Sequence, residues 1–332
     1  MSARLFMLVG LPGSGKSTQA EKIKGYEENC IILSSDQIRE EMGDVNDQSR
    51  NNEVFDVMFK RCYEALSQGV SVVYDATNLN RKKRVNFLKK LDRLDVERIC
   101  VLMAVPYEVC LARNFSRDRQ VPEDVMVRML KSFEIPVYQE RWNTIKIVWD
   151  VPYGLKEFYD YFNKIEELKG IPHDNPHHDL TIGEHIQTAG YYALKWWGNS
   201  LNRIGCLNSS GRNVLLAAWI HDIGKDLVKI YRNHKGEETE VAHYYGHENV
   251  SCYLSLFYLL WNWPDLSDGE ILHICNLVLM HMRPCCVYNQ SKKSLERDTA
   301  MFGLAFMKEL MVLHECDKRA QKEKNFFKFR LD

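Results

Sequence analysis

Two stretches of this 332-residue sequence set reactive side chains at spacings that chemistry can use. Near the start, Gly10 to Ser17 read GLPGSGKS, which fits the G-x-x-x-x-G-K-[ST] pattern. Its glycines let backbone N–H groups turn inward on the phosphates of a nucleoside triphosphate. Lys16 would reach the β/γ oxygens and Ser17 would take Mg²⁺, with Gly13, Ser14, Gly15 and Thr18 in the same cradle. Far downstream, LLAAWIHDIGKDL (215–227) places His221 beside Asp222. Both side chains can ligate one divalent cation, although a single such pair is weak in a chain with 11 histidines.

Around the first stretch lie residues suited to an acceptor. IILSSDQIRE puts Asp36 just after a β-branched run, where a carboxylate can take the proton of an attacking hydroxyl. The bland alternative for the same residue is a helix cap. Arg39, one turn on, could hold an anionic group of the acceptor. VSVVYDATNLNRKKR supplies Asp75, Thr77, Asn78 and the basic run Arg81–Arg84, which reads as either an acceptor contact or a solvated face. RNFSRDRQVPEDVM then offers Arg113, Arg117 and Arg119 for neutralising charge on a transferring phosphoryl group.

The second stretch gains weight from its neighbours in the chain. His185 lies in TIGEHIQTAG, where Thr181 and Glu184 form a capping-box pattern. His247 opens a helical run, His281 ends one, and Asp317 lies within the last. Imidazoles and carboxylates from several helices can converge inside a bundle on one or two cations. Such cations lower the pKa of bound water to about 7 and polarise phosphoryl oxygens. Asp222 could bridge two ions. Lys225 could meet a substrate phosphate or simply offset a helix end; His178 could do likewise, with His173 and His177 as neighbouring alternatives. His243 and His314 are runner-up ligands.

These groups must be held by two kinds of scaffold. Residues 1–150 alternate short strands (4–9, 30–34, 70–74, 97–104, 145–149) with helices (15–24, 50–67, 81–93, 106–114, 122–132), which predicts parallel βαβ units. Leu155, Phe158, Tyr159, Phe162, Ile165 and Leu168 recur at helical spacing before Gly170 and Pro172, which predicts a connecting helix within 151–171. Helical patterns near 181–197, 211–221, 247–261, 268–282 and 300–321 predict an all-α domain over 172–332.

The ordered set GLPGSGKST, SDQIR, DATNLN and VPYEVCLARNFSR, with a later VP and PVY, resembles the kinase domain of phage-type polynucleotide 5′-hydroxyl kinases across about residues 4–140. That resemblance implies an α/β P-loop NTPase-type domain using ATP or another NTP with Mg²⁺. It also implies Asp36 as general base, Arg39 on a phosphate of the acceptor strand, Lys16, Ser17 and Arg117 on the donor, and Asp75 as a supporting acid near Arg39. Arg117 and Arg119 could exchange roles. Across 172–320 the order of histidines and acids resembles the HD phosphohydrolase superfamily, and PHDNPHHDLTIGEH is similar to HD domains of CCA-adding tRNA nucleotidyltransferases. The implied metal set is His185, His221, Asp222 and Asp317, with His247 and His281 matching the extra ligands of two-metal members. Mn²⁺, Ni²⁺, Co²⁺, Fe²⁺ or Zn²⁺ would be the occupants.

A kinase and a phosphoesterase suit the two ends of one break, a 5′-hydroxyl and a 2′,3′-cyclic phosphate. The expectation is therefore a bifunctional end-healing enzyme acting on RNA or DNA ends, ahead of a nucleic-acid ligase. The alternative is a small-metabolite or nucleoside kinase fused to an HD nucleotide phosphohydrolase; a non-catalytic nucleotide sensor is more distant. Composition permits all three. A net charge of −1 requires any nucleic-acid site to be a local patch. The ten cysteines are scattered, with no C-x-x-C and no leader-like run, so free thiols and a cytoplasmic location are expected. Cys285 and Cys286 read as buried small apolar groups. No apolar run approaches the roughly 20 residues of a membrane span.

Overall fold

The computed structural model describes residues 2–43, 49–117, 119–204 (backbone only at 199–204) and 209–321. The chain forms two compact units, Met1–Met129 with Pro136–Val151, and Leu130–Ile135 with Pro152–Asp332.

In the first unit five parallel strands, β1 (Ala3–Val9), β2 (Cys30–Ser34), β3 (Ser71–Asp75), β4 (Val96–Ala104) and β5 (Thr144–Trp149), lie in the order β2-β3-β1-β4-β5. Central β1 pairs Leu5 with both Val72 and Arg98. Burial on both faces explains why β1 and β3 are near-continuous apolar runs. The connecting helices are α1 (Lys16–Tyr26), α2 (Ser35–Glu41), α3 (Asn51–Ser67), α4 (Arg81–Lys90), α5 (Tyr107–Phe115) and α6 (Glu123–Leu130). The connection from β1 runs to one side of the sheet and that from β4 to the other. A ligand crevice is thereby opened at the carboxyl ends of these strands.

The second unit is helical: α7 (Tyr161–Lys169), α8 (Ile182–Ile204), α9 (Ser209–Ile220), the one-turn α10 (Lys225–Val228), α11 (His247–Asn262), α12 (Asp268–Met280) and α13 (Lys292–Ala320). The last helix starts earlier than its apolar spacing predicts and is broken at Gly303, whose φ is 81°. Gly183 lets α8 approach α7 closely, since a Cβ there would stand 2.6 Å from Ile165 O.

Three expectations are corrected. A two-stranded antiparallel hairpin, β6 (Ile230–Arg232) with β7 (Glu238–His243), interrupts the helices. The run 155–168 is two 3₁₀ turns followed by α7; its buried stripe is Tyr161, Ile165 and Leu168, while Phe158 and Phe162 are exposed. Cys285 and Cys286 sit in a π-helical turn, half-buried and exposed rather than in the core. Sequence spacing also gave no sign that 130–135 belongs to the second unit, where Phe133 packs edge-on against Tyr253 at 4.9 Å and its carbonyl accepts from Asn249 Nδ2. No described helix is long and apolar enough to cross a membrane.

Candidate functional site

The loop after β1 owes its shape to two left-handed glycines, Gly13 (φ 81°) and Gly15 (φ 78°). Gly13 is pressed against Cys110 O, where no Cβ would fit. Buried Ser14 Oγ has no protein partner, a polar atom suited to a phosphate oxygen. Lys16 begins α1 and folds back to donate to Leu11 O at 2.8 Å. Burial pulls its ammonium down to about 8 against the opposing pull of Asp75, so the site is short of negative charge. Ser17 donates to Asp75 Oδ2 at 2.8 Å, and Thr18 is exposed. Asp75 is thus joined to Ser17, the side chain expected on Mg²⁺. Burial raises the Asp75 carboxyl despite that hydrogen bond.

Asp36 is not a helix cap. Ser34 fills that role, accepting from Asp36 N at 3.3 Å, which frees the carboxylate for other work. Asp36 is 60% exposed, and its Oδ1 meets Arg39 Nη1 at 3.1 Å and Arg119 Nη1 at 2.8 Å. Arg39 is itself buried and steadied by Ser35 O and Asn51 Oδ1. The three arginines of this stretch separate by position: Arg119 faces Asp36, Arg117 lies near enough to act on Lys16 and Asp75, and Arg113 pairs with Asp150 at 2.6 Å.

The basic run is structural in part. Arg84 is buried and forks onto both Glu140 oxygens at 2.7 Å while donating to Asn78 O and Leu79 O. Asn78, at φ 49°, donates to Leu8 O, and Gly10 N donates to Thr77 O. This segment therefore ties the donor loop to the sheet.

In the second unit six side chains from five helices or their ends converge. His185 Nε2 stands 3.2 Å from His221 Nε2 and 3.1 Å from Asp317 Oδ1. His247 Nε2 stands 3.3 Å from His281 Nε2. Asp222 links the two groups. Its Oδ2 lies 3.3 Å from His185 and 3.2 Å from His221, and its Oδ1 lies 3.4 Å from His247 and 3.6 Å from His281. All six residues are buried.

The donor set fits divalent cations. His221, His247 and His281 each turn Nδ1 to a backbone carbonyl three residues earlier, at 2.9, 2.8 and 2.6 Å. A carbonyl only accepts, so Nδ1 bears the proton and Nε2 presents a lone pair inward. At the His247–His281 pair, two lone pairs would then face each other 3.3 Å apart, an arrangement that a cation between them relieves. Asp222 Oδ1 is buried without a hydrogen-bond partner. At His221 burial is outweighed by Asp222 and Asp317, which push it up to about 10, so a cation there must displace a second proton from Nε2; burial drives His247 down to about 3, which leaves its Nε2 lone pair free. His243 and His314 stand outside both ligand groups.

Lys225, expected near a phosphate, donates to Asp222 Oδ2 at 2.7 Å and lies 3.3 Å from His173 Nε2. Burial and the Lys225 charge hold His173 down to about 3. His178 stacks on His173 with ring centroids 4.0 Å apart, and His177 is exposed.

Residues 5–136 match the AAA domain family. The L-seryl-tRNA(Sec) kinase of Methanococcus maripaludis is 30% identical over 168 residues, 49% of this chain and 65% of that protein. A protein of Autographa californica nuclear polyhedrosis virus, provisionally named a bifunctional polynucleotide kinase/RNA ligase, is 25% identical over 194 residues, 50% of this chain and 27% of its own length. The chain thus spans less than two thirds of either relative. Among solved structures, a chain of the Pnkp1/Rnl/Hen1 RNA repair complex is 19% identical with a TM-score of 0.34, over 39% of this chain and 43% of that one. The first unit carries a P-loop domain of a kind shared with proteins named as kinases.

Proposed function

We propose that the protein heals nucleic-acid ends, those of RNA in the first instance. It would transfer the γ-phosphate of ATP or another NTP to a 5′-hydroxyl and hydrolyse 2′,3′-cyclic phosphate or 3′-phosphate ends. The names of two relatives, a kinase acting on seryl-tRNA and a polynucleotide kinase, support an acceptor hydroxyl carried on nucleic acid. In this reading Gly13–Ser17 and Lys16 cradle the donor phosphates, Thr18 lies beside them, and Ser17, backed by Asp75, holds Mg²⁺. Asp36 takes the proton of the attacking hydroxyl, Arg39 meets a phosphate of the acceptor strand, and Arg117 neutralises charge on the phosphoryl group in flight.

The observation that carries the second activity is Asp222, whose two oxygens face two separate ligand groups. His185, His221, Asp317 and Asp222 Oδ2 would hold one divalent cation, and His247, His281 and Asp222 Oδ1 a second. Imidazole-rich ligation favours Mn²⁺, Fe²⁺, Co²⁺, Ni²⁺ or Zn²⁺. When bound, the cations would supply Lewis-acid polarisation of the phosphoryl group and acidification of water. Lys225 adds a fixed positive charge at Asp222. The products, a 5′-phosphate and a free 3′ terminus, are what a nucleic-acid ligase joins.

A second reading makes a seryl-tRNA or a small metabolite the phosphoryl acceptor, with the other half a nucleotide phosphohydrolase; the seryl-tRNA kinase likeness favours its first form. One RNA bearing a 5′-hydroxyl and a 2′,3′-cyclic phosphate tests both halves by product mass, with seryl-tRNA and nucleosides as competing acceptors. A gain of one phosphoryl group is expected at the 5′ end; at the 3′ end one water opens the cyclic phosphate to a monoester, and a second releases inorganic phosphate to leave a free 3′ terminus. Transfer to seryl-tRNA or nucleosides alone would replace the kinase half of the proposal, and an intact cyclic phosphate would remove the other half.

A further inference from the structure

The Lys225 ammonium is built in from two sides, and only one of them belongs to the ligand cluster. We infer that His173 is a positioning residue for Lys225, holding its ammonium so that one N–H is kept for an oxygen of the phosphoryl group at a nucleic-acid end. The inference rests on the phosphoesterase reading above.

The geometry aims the His173 imidazole at Lys225. It sits at 1% exposure in the turn before α8. Its Nδ1 lies 2.7 Å from Leu180 O, and its own carbonyl accepts from Tyr244 Oη at 2.5 Å. The ring is further fixed by near-parallel stacking on His178, 8° between planes. With its proton on Nδ1, the imidazole turns a lone pair at Nε2 towards Lys225 Nζ, 3.3 Å away. An ammonium has three N–H donors. Asp222 Oδ2 takes one at 2.7 Å and His173 takes another. The Tyr244 ring, its centroid 5.4 Å from Nζ, covers a further side of the ammonium.

The choice of a neutral acceptor has a physical consequence. A second carboxylate would also anchor the ammonium, but it would cancel the charge that a phosphate must feel. An imidazole fixes direction and leaves the charge in place. Without His173, a flexible four-carbon stem would pivot about Asp222 alone. Misplacement of a positioned group by about 1 Å can cost on the order of 10²-fold in rate.

The test is a double-mutant cycle on the full-length, metal-loaded protein, with an RNA 2′,3′-cyclic phosphate as substrate. His173→Leu is expected to lower kcat about 10-fold to 100-fold, with less change in KM and unchanged metal content. His173→Gln, whose side-chain oxygen can still accept from Lys225, should recover most of the loss. In a Lys225→Met background His173→Leu should cost nothing more, because its effect runs through the lysine. Binding of an RNA ending in a 3′-phosphate, read by fluorescence anisotropy, should weaken in His173→Leu and be restored in His173→Gln. An equal rate loss in the Lys225→Met background, loss of metal in His173→Leu, or no recovery with glutamine in a protein that melts like the parent would overturn the inference. If the unaltered protein leaves the cyclic phosphate intact, the phosphoesterase reading fails by itself. The binding arm still decides the role of His173, and absence of 3′-phosphate RNA binding by the unaltered protein counts against it.

Discussion

The two candidate sites solve opposite electrostatic problems. In the first unit Asp36 is 60% exposed, Ser17, Thr18 and Arg117 reach solvent, and the loop itself is backbone shaped by Gly13 and Gly15. In the second, two carboxylates and four imidazoles are buried, with Asp222 Oδ1 unpartnered. An open site suits a nucleotide and its Mg²⁺ that arrive and leave in every cycle. A closed cluster of lone pairs is costly unless cations stay with it. Charge that travels with the substrate belongs at the surface; charge that stays can be buried.

The largest expected effect breaks the closed site. Asp222→Asn removes the oxygen charge that faces both ligand groups, so cyclic-phosphate hydrolysis and bound metal should both be lost. Kinase turnover should be unchanged, because the donor and acceptor residues all precede 120. Both activities and metal content measured on one preparation decide the matter. Retained hydrolysis would remove Asp222 from the site, and parallel loss of kinase activity in a folded protein would show that the sites are coupled.

Next is the open site. Asp36→Asn should slow 5′-phosphorylation by about 10²–10⁴-fold, the usual cost of removing a positioned base, with ATP affinity kept because Lys16 and the loop remain. Near-native transfer would leave Asp36 only as an anchor for Arg39 and Arg119. Arg39→Lys should have a smaller effect, about 10-fold to 100-fold for one charge-assisted hydrogen bond lost. That loss should be larger on an oligonucleotide than on a nucleoside without a 3′-phosphate. Equal losses on both acceptors would make Arg39 a support for Asp36 alone.

The sequence signals that succeeded were local ones. β-Branched runs marked all five parallel strands within a residue or two, and the ordered histidines and acids between 185 and 317 are side chains that the fold brings together around Asp222. What escaped was set by distant partners. Arg84 lies in a run of four basic residues, and only its pairing with Glu140, 56 positions on, takes it into the interior. The β6–β7 hairpin mixes Glu238, Thr239, Glu240 and His243 with Ile230, Val241 and the buried Ala242, so alternation gives little strand signal; the turn around Asn233 and Gly236 and the register of Ile230 with His243 define it. Phe158 and Phe162 match a helical period yet face outward, since the 3₁₀ turns before α7 change the phase. His173 could not be chosen from three nearby histidines because Lys225, its partner, is 52 positions away.

The smallest effect sharpens the contrast through pH. Burial lowers the Lys16 ammonium from its ordinary 10.5 to about 8 in the ligand-free protein. Nucleotide phosphates would raise it again, so ATP binding should take up a proton between those two values. The sign follows from linkage: affinity is flat well below pH 8 and falls above it, by at most about tenfold per pH unit. Stability of the free protein should respond in the opposite sense. Between pH 8 and 10.5 the unfolded chain holds more protons at this lysine than the folded one, so raising pH favours the folded state there. Titration calorimetry at pH 9 in two buffers of different ionisation enthalpy reads the uptake directly, and Lys16→Met should abolish it. Equal heats in both buffers for the unaltered protein would mean that Leu11 O and Asp75 already satisfy the ammonium. The phosphates would then be held by the backbone N–H groups, and the open site would share with the closed one a charge balanced before any ligand arrives.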